Sequence, residues 1–366
     1  MKKFFKYFLL LTCILAAILF ASCRLIPSIN PYEQSFIGIL GLLTPVLLVV
    51  NVLFFIFWLV MKKFWYALIP LVAFVFCWNV FSVMVGGHLF NQGNTSESTK
   101  QFSLMSYNVR LLDLYNWSGK KTTRNEILSF FKEQNPTVLC LQEFYSGNDT
   151  AGVNNIQAIV DSCNYEYYAE CNVNVNKRGK WGSIIFSHLP IVQSENHDVD
   201  VAGNNMLQQA NLLFQKDTVS IFNLHLKSNR FSISESALVS KKELPEFDDK
   251  TFEESKSIYN KLEHSTINRG LEADLVTNII QQNSHPSIIC GDLNDIPSSY
   301  VYFKIRGDKK DAFLEKGFGL GATYNQTIPL LRIDYLFYSN QLRLHEFENL
   351  HVTYSDHYPL LANFSL

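Results

Sequence analysis

Apolar and polar positions divide this chain into two unlike stretches. From Met1 to about Val85 nearly every residue is Phe, Leu, Ile, Val, Ala or Trp. Within it, Phe4–Ala21, Phe36–Val60 and Trp65–Val85 carry no internal charge. Each is long enough for a hydrocarbon core of about 30 Å, and only helices or closed barrels satisfy their backbone in lipid. The pattern therefore predicts three transmembrane helices, at about 4–21, 36–60 and 65–85, in an anchor spanning 1–86. Residues 87–100 turn polar and Gly/Asn/Ser-rich and read as a linker.

After residue 101 the periodicity changes to short apolar runs separated by polar loops. Phe102–Val109 alternates as a strand. Thr123-Arg-Asn-Glu126 has the spacing of a capping box, followed by a helical stripe of Ile127, Leu128 and Phe131 and closed by Asn135-Pro136. Thr137–Leu141, Gly182–Ser187, Val219–Leu226, Ser287–Cys290, Ile333–Tyr338 and Tyr358–Phe364 read as strands, and Leu271–Gln281 as an amphipathic helix. The charged stretch 228–265 reads as a surface insertion. Mixed strands and helices of this kind predict a layered α/β sandwich in one domain, 101–366.

Charge sharpens the division. Residues 1–100 carry Lys2, Lys3, Lys6, Arg24, Lys62, Lys63 and Lys100 against Glu33 and Glu97, a surplus of five positive charges. The whole chain is at −2, so the remainder carries −7. An acidic domain lacks the broad positive field of a non-specific nucleic-acid binder. The basic residues flank the apolar runs instead. Lys2, Lys3, Lys6 and the Lys62-Lys63 turn predict a cytoplasmic N-terminus, with the polar domain outside the cytoplasm in a multi-pass inner-membrane protein. Phe20-Ala21-Ser22-Cys23 offers an alternative, a lipoprotein-type signal cleaved before a lipidated Cys23. The seven cysteines form no CxxC, which argues against a zinc ribbon.

The candidate chemistry lies at strand ends. Asn108, Glu143, His225, Asp292, Asn294, Asp334, Asp356 and His357 each follow or enter an apolar run. Glu143 with Asn108 is the sort of oxygen set that suits a hard divalent cation, which keeps several waters and needs only one or two carboxylates. Arg269, in Asn268-Arg-Gly270, is a further candidate for supporting the site.

The ordered set Ser106-Tyr-Asn-Val109, Leu141-Gln-Glu143, Gly182-Ser-Ile-Ile-Phe-Ser187, Asn223-Leu-His225, Gly291-Asp-Leu-Asn294, Arg332-Ile-Asp-Tyr-Leu336 and Ser355-Asp-His357 resembles the endonuclease/exonuclease/phosphatase superfamily. Each motif alone is weak; seven in order, over about 101–366, are specific. The resemblance implies a DNase I-like four-layer sandwich, two mixed β-sheets flanked by helices. It implies a Mg²⁺ or Mn²⁺ ion held by Asn108, Glu143 and Asp356. It pairs His357 with Asp334, so that His357 is either a base toward water or a cation on the phosphate. It sets Asp292 to orient or deprotonate the attacking water. Asn294 then donates to the phosphate or the metal shell, and His225 donates to a phosphoryl oxygen or protonates the leaving group.

The expected activity is hydrolysis of a phosphoester, lipid-linked or soluble, by an enzyme held on a bilayer through its N-terminal helices. One alternative is a metal-dependent nuclease, which a net acidic domain disfavours. A second is a non-catalytic binding protein on the same fold, which the retention of all eight polar residues disfavours.

Overall fold

The computed structural model describes residues 2–88, 100–148, 153–200, 205–229, 249–326 and 331–366. Most of the expected linker, and 230–248 of the expected insertion, lie outside the described residues.

The apolar stretch is helical. Helix α1 (Lys2–Ser22) runs into a 3₁₀ turn (Cys23–Ser28) and is followed by α2 (Phe36–Val60). Two helical segments, Phe4–Ser28 and Phe36–Val60, are long and apolar enough to cross a membrane. The third expected span is divided at Cys77 into α3 (Phe64–Phe76) and α4 (Trp78–Phe81). The 13 residues of α3 rise only about 20 Å, short of a hydrocarbon core of about 30 Å. Cys23 is fully buried between α1 and α2, where Thr44 Oγ1 donates to its sulfur at 3.4 Å. Lipid attachment there requires that packing to be undone.

In chain order the remaining elements are β1 (Gly86–Gly87), β2 (Phe102–Asn108), α5 (Thr123–Gln134), β3 (Val138–Gly147), α6 (Asn155–Cys163), β4 (Tyr167–Asn176), β5 (Gly179–Ser187) and β6 (Ile191–Asp198). They continue with β7 (Met206–Phe214), β8 (Asp217–His225), α7 (Asp249–Gln281), β9 (Ser287–Asp292), α8 (Tyr300–Arg306), β10 (Lys310–Asp311), α9 (Ala312–Lys316) and β11 (Phe318–Gly319). The last strands are β12 (Asp334–Tyr338), β13 (Arg343–Asn349) and β14 (Leu360–Ser365).

Two six-stranded mixed sheets result, ordered β13-β14-β2-β3-β5-β4 and β10-β12-β9-β8-β7-β6. Each has one parallel pair at its centre, β2 with β3 and β8 with β9. The sheets pack face to face through Leu104, Cys140 and Ile185 of the first and Ile221, Cys290 and Leu336 of the second. Helices α5 and α6 cover the outer face of the first sheet, and α7 and α8 that of the second. The expected four-layer sandwich is therefore the observed fold.

Two details depart from the expected pattern. Helix α5 starts after Thr122, whose hydroxyl donates to Glu126 Oε1 at 2.8 Å, while Thr123 Oγ1 donates to the Lys120 carbonyl. The threonine facing Glu126 is thus one residue earlier than expected. The charged stretch 249–265 is the first half of the 33-residue α7, continuous with the amphipathic half at 271–281.

A candidate phosphoester site at the strand ends

The parallel pairs bring their C-terminal ends together across the sandwich. Strand β2 ends at Asn108 opposite Gln142, and β8 ends at His225 opposite Asp292. Strand β12 enters antiparallel beside β9, so Asp334 pairs in register with Asp292. The loop before β14 brings in Asp356 and His357. Beneath this polar layer Gln142 Nε2 donates to Asn223 Oδ1 at 2.7 Å, and Asn223 Nδ2 donates to Gln208 Oε1 at 3.2 Å. This buried amide chain satisfies polar groups between the sheets and fixes their mutual register.

Local backbone features aim the side chains. The β3–β5 register jumps between Leu141 and Phe144, and Glu143 takes φ +46° within that bulge. Bulges re-aim side chains in this way. At Gly291, with φ +131°, a Cβ would lie 2.0 Å from the Leu224 carbonyl. Only glycine lets β9 and β8 approach closely enough to present Asp292 beside His225.

Asp292 is the centre of the site. Its Oδ2 accepts from Asn108 Nδ2 at 3.1 Å and lies 3.7 Å from His225 Nε2 and 3.6 Å from His357 Nε2. Its Oδ1 accepts from the Asn294 backbone N–H at 2.7 Å. Burial and the neighbouring Asp334 carboxylate push Asp292 up to about 6, against the opposing pull of the two histidines. His357 Nδ1 lies 2.8 Å from Asp334 Oδ2, and its ring packs edge-on to Tyr324. Burial alone would lower its pKa; Asp334 and Asp292 outweigh that and raise it to about 10, so the ring is an imidazolium at neutral pH.

The rim is more open. Glu143 is about one-third exposed, and its Oε1 lies 3.4 Å from both His225 Nε2 and Asn108 Nδ2. His225 Nε2 is itself buried without a hydrogen-bond partner and faces two carboxylates. An orphaned polar atom there marks a place for a ligand oxygen. Asn294 has φ +51° and donates from Nδ2 to the Leu226 carbonyl at 3.0 Å, which holds the β9 loop against the end of β8.

The expected metal set is brought together in part. Asn108 turns its amide N–H toward Glu143 and Asp292 and its oxygen toward the Arg110 backbone N–H. In that orientation it orients the carboxylates rather than offering an oxygen ligand to an ion between them. Asp356 Oδ2 is 3.2 Å from Arg110 Nε, while Ser355 Oγ donates to the Asn108 carbonyl and ties the Asp356 loop to β2. Asp292, Asp334 and His357 have their ligand-type atoms within 4.8 Å of one another. Those three side chains are buried, whereas Glu143 is about one-third exposed. A hard divalent ion takes oxygen ligands, and the accessible carboxylate of Glu143 is one such group.

Arg269 is not in the site. It is fully buried, with Nε on Asp295 at 3.1 Å and Nη1 donating to the Lys227 carbonyl and Asn229 Oδ1. It clamps the loop after His225 to the loop after Asp292. Residues not foreseen are Arg110 and Thr323, whose Oγ1 accepts the backbone N–H groups of Ile333 and Asp334, while Ser355 stood in a motif without a role. Arg110 opens a run of four non-glycine residues, Arg110–Asp113, with φ between +43° and +60°. Its guanidinium stacks on Trp117 at 4.7 Å. A charge two residues after a strand-end Asn was the available signal for Arg110. Thr323 gave none.

No curated protein matches the chain. Solved structures match its fold at low identity. A protein from Beutenbergia cavernae described as an endonuclease/exonuclease/phosphatase is 14% identical, over 73% of this chain and 72% of that one, with TM-score 0.50. The human Nocturnin catalytic domain with bound sulfate is 18% identical, over 72% and 94%, with TM-score 0.50. An endonuclease/exonuclease/phosphatase family protein from Bacteroides thetaiotaomicron is 14% identical, over 73% and 98%, with TM-score 0.50. Residues 3–84 match the model of a domain of unknown function, DUF8431. Residues 105–357, spanning every candidate site residue, match the Endonuclease/Exonuclease/phosphatase family model, and the chain belongs to that family.

Proposed function

We propose that the protein is a membrane-anchored, divalent-metal-dependent hydrolase of phosphoester bonds. The observation that carries the reading is Asp292, a buried carboxylate whose Oδ2 lies 3.7 Å from His225 Nε2 and 3.6 Å from His357 Nε2. A carboxylate raised to about 6 is matched to accepting a proton near neutral pH. Asp292 Oδ2 takes the proton of the attacking water, while the Asn294 backbone N–H and Asn108 Nδ2 hold the carboxylate in place. His357, fixed by Asp334, keeps its Nε2 proton and presents positive charge to a phosphoryl oxygen. His225 Nε2 donates to a second phosphoryl oxygen or to the leaving group.

Glu143 would hold the ion, Mg²⁺ or Mn²⁺, with Asn108 and Asp356 beside it. When bound, such an ion polarises the phosphoryl group and offsets charge built up in the transition state.

The anchor reading rests on the apolar helices and on charge. Lys62-Lys63 close the end of α2, while the α1–α2 connection and Val83 both touch the catalytic domain. This favours a cytoplasmic N-terminus and Lys62-Lys63 turn, with α3 and α4 returning the chain to the domain side, outside the cytoplasm.

The test is hydrolysis of bis-p-nitrophenyl phosphate by the full chain in detergent. Mg²⁺ or Mn²⁺ is expected to support turnover and EDTA to stop it. Turnover unaffected by EDTA contradicts the metal-dependent reading. A substrate panel of DNA, phospholipids and sugar phosphates separates this reading from a nuclease, for which cleavage of DNA alone would speak.

A further inference from the structure

The apolar helices and the catalytic domain share side chains in one another's cores. Tyr300, at the start of α8, packs among Phe20, Cys23, Ile37 and Leu40 of the anchor. Val83, at the anchor's end, packs within the core of the second sheet. Polar contacts lock the seam. Asn30 Nδ2 donates to Asp274 at 2.7 Å, Ser298 Oγ donates to the Gly41 carbonyl at 3.1 Å, and Arg332 Nη2 donates to the Val83 carbonyl at 2.6 Å. At Gly38 the approach is so close that a Cβ would lie 2.5 Å from Thr266 Oγ1 of α7. A flexible tether has none of these contacts.

The seam also fixes depth. The outward face of α2 is an unbroken apolar stripe, Leu43, Val46, Val49, Leu53, Ile56 and Val60, with Val46 58% exposed. Leu43 to Val60 rises about 27 Å along a helix, close to a hydrocarbon core of about 30 Å. Helix α1 carries a matching stripe from Phe4 to Ile18. The α2 stripe begins two residues after Gly41, and Gly41 touches the Ser298 loop that leaves β9 directly after Asp292 and Asn294. The active-site end of the sandwich therefore lies beside the start of the α2 stripe. A cavity of about 550 Å³ borders α7, lined by Lys227, two residues beyond His225, and by Lys256, His264 and Ser265, with Glu253 its one carboxylate among the described residues. Ser265 adjoins Thr266 at the seam.

We infer that the docked anchor sets the catalytic mouth at headgroup depth, and that its substrate is a phosphoester headgroup of a lipid in the same bilayer. This rests on the proposed hydrolase activity and anchoring. The cavity beside α7 would receive the headgroup, with Lys227 and Lys256 offered to its phosphate.

The full chain, reconstituted into phosphatidylcholine vesicles doped in turn with phosphatidic acid, phosphatidylglycerol or a polyprenyl phosphate, tests this with Mg²⁺. The expected result is release of headgroup phosphate, or of the phosphorylated headgroup, from at least one lipid. The rate should be tenfold or more higher when lipid and protein share a vesicle than when they occupy separate vesicles. Gly38→Leu, which wedges α2 from α7, is expected to lower lipid turnover several-fold while leaving bis-p-nitrophenyl phosphate hydrolysis unchanged. Hydrolysis of the soluble diester with no lipid in the panel cleaved, or equal rates from shared and separate vesicles, overturns the inference while leaving the hydrolase reading intact. Loss of all turnover in the wild type overturns the hydrolase reading instead. If Gly38→Leu does not fold, the vesicle comparison on the wild type still decides.

Discussion

The candidate site and the seam between the apolar helices and the second sheet are both partly polar and partly buried, yet they treat a carboxylate in opposite ways. At the seam Asp274 receives Asn30 at 2.7 Å, Tyr300 at 2.6 Å and Lys304 at 2.9 Å. Burial would raise its pKa, but those three donors lower it below the ordinary range. In the cleft Asp292 faces Asp334 in register, and burial and that neighbour push it up to about 6. A fully satisfied carboxylate holds the structure together. An under-satisfied one stores a cost that a cation or a substrate can relieve. The contrast separates what these residues do for stability from what they do for chemistry.

The largest effect expected from breaking the contrast is on rate. Asp292→Asn or His357→Ala should lower turnover by about 10²–10⁴-fold while leaving the fold intact by circular dichroism. Arg332→Met tests the seam in the other direction. It leaves Asp311, 2.6 Å from the guanidinium and buried, without its cation, which costs about 3–5 kcal/mol and should appear as a large drop in melting temperature.

The next effects depend on pH and follow the sign of each shift. Asp292 and His357 are both raised. The stability each contributes to the metal-free protein is fully present below its unfolded pKa and lost as pH rises through about 6 and about 10 respectively. Asp274 is lowered, so its contribution is present above its unfolded pKa and lost in acid, as pH falls through its folded value. At pH 8 without metal, Asp292→Asn should therefore raise stability, by on the order of 2 kcal/mol. Asp274→Asn should lower it. Saturating Mg²⁺ should raise the wild-type melting temperature by mass action, and remove part of the gain seen in Asp292→Asn. The smallest effect is at Tyr300→Phe, which loses one hydrogen bond to Asp274 and should cost about 1 kcal/mol in unfolding.

The cleft was more legible in the sequence than the seam, for a physical reason. Asn108, His225 and Asp292 end strands with apolar periodicity, and strand ends in a layered sandwich converge on one edge. Their meeting could be read from pattern and motif. Glu143 was readable as a residue but not as a bulge, because register shifts leave no periodic trace. Asp356 was expected among the metal ligands; its pairing with Arg110 depends on a left-handed turn that the residue types there do not signal. At the seam, Gly38 and Gly41 sit in a helix that reads as a uniform apolar span, and nothing local tells a lipid-facing glycine from one that admits Thr266. The break at Cys77 was equally hidden, since Phe64–Phe81 is apolar on both sides of it. Long-range packing decides such positions, and period alone does not carry it.

The most direct test of the central claim compares wild type with the Asp292→Ala, His357→Ala double variant in hydrolysis of bis-p-nitrophenyl phosphate with Mg²⁺ present. Both proteins are to be taken as full chains and shown to be folded. The account predicts metal-dependent turnover in the wild type and a rate in the double variant indistinguishable from the protein-free control. Turnover in the double variant at a rate comparable to wild type would contradict it.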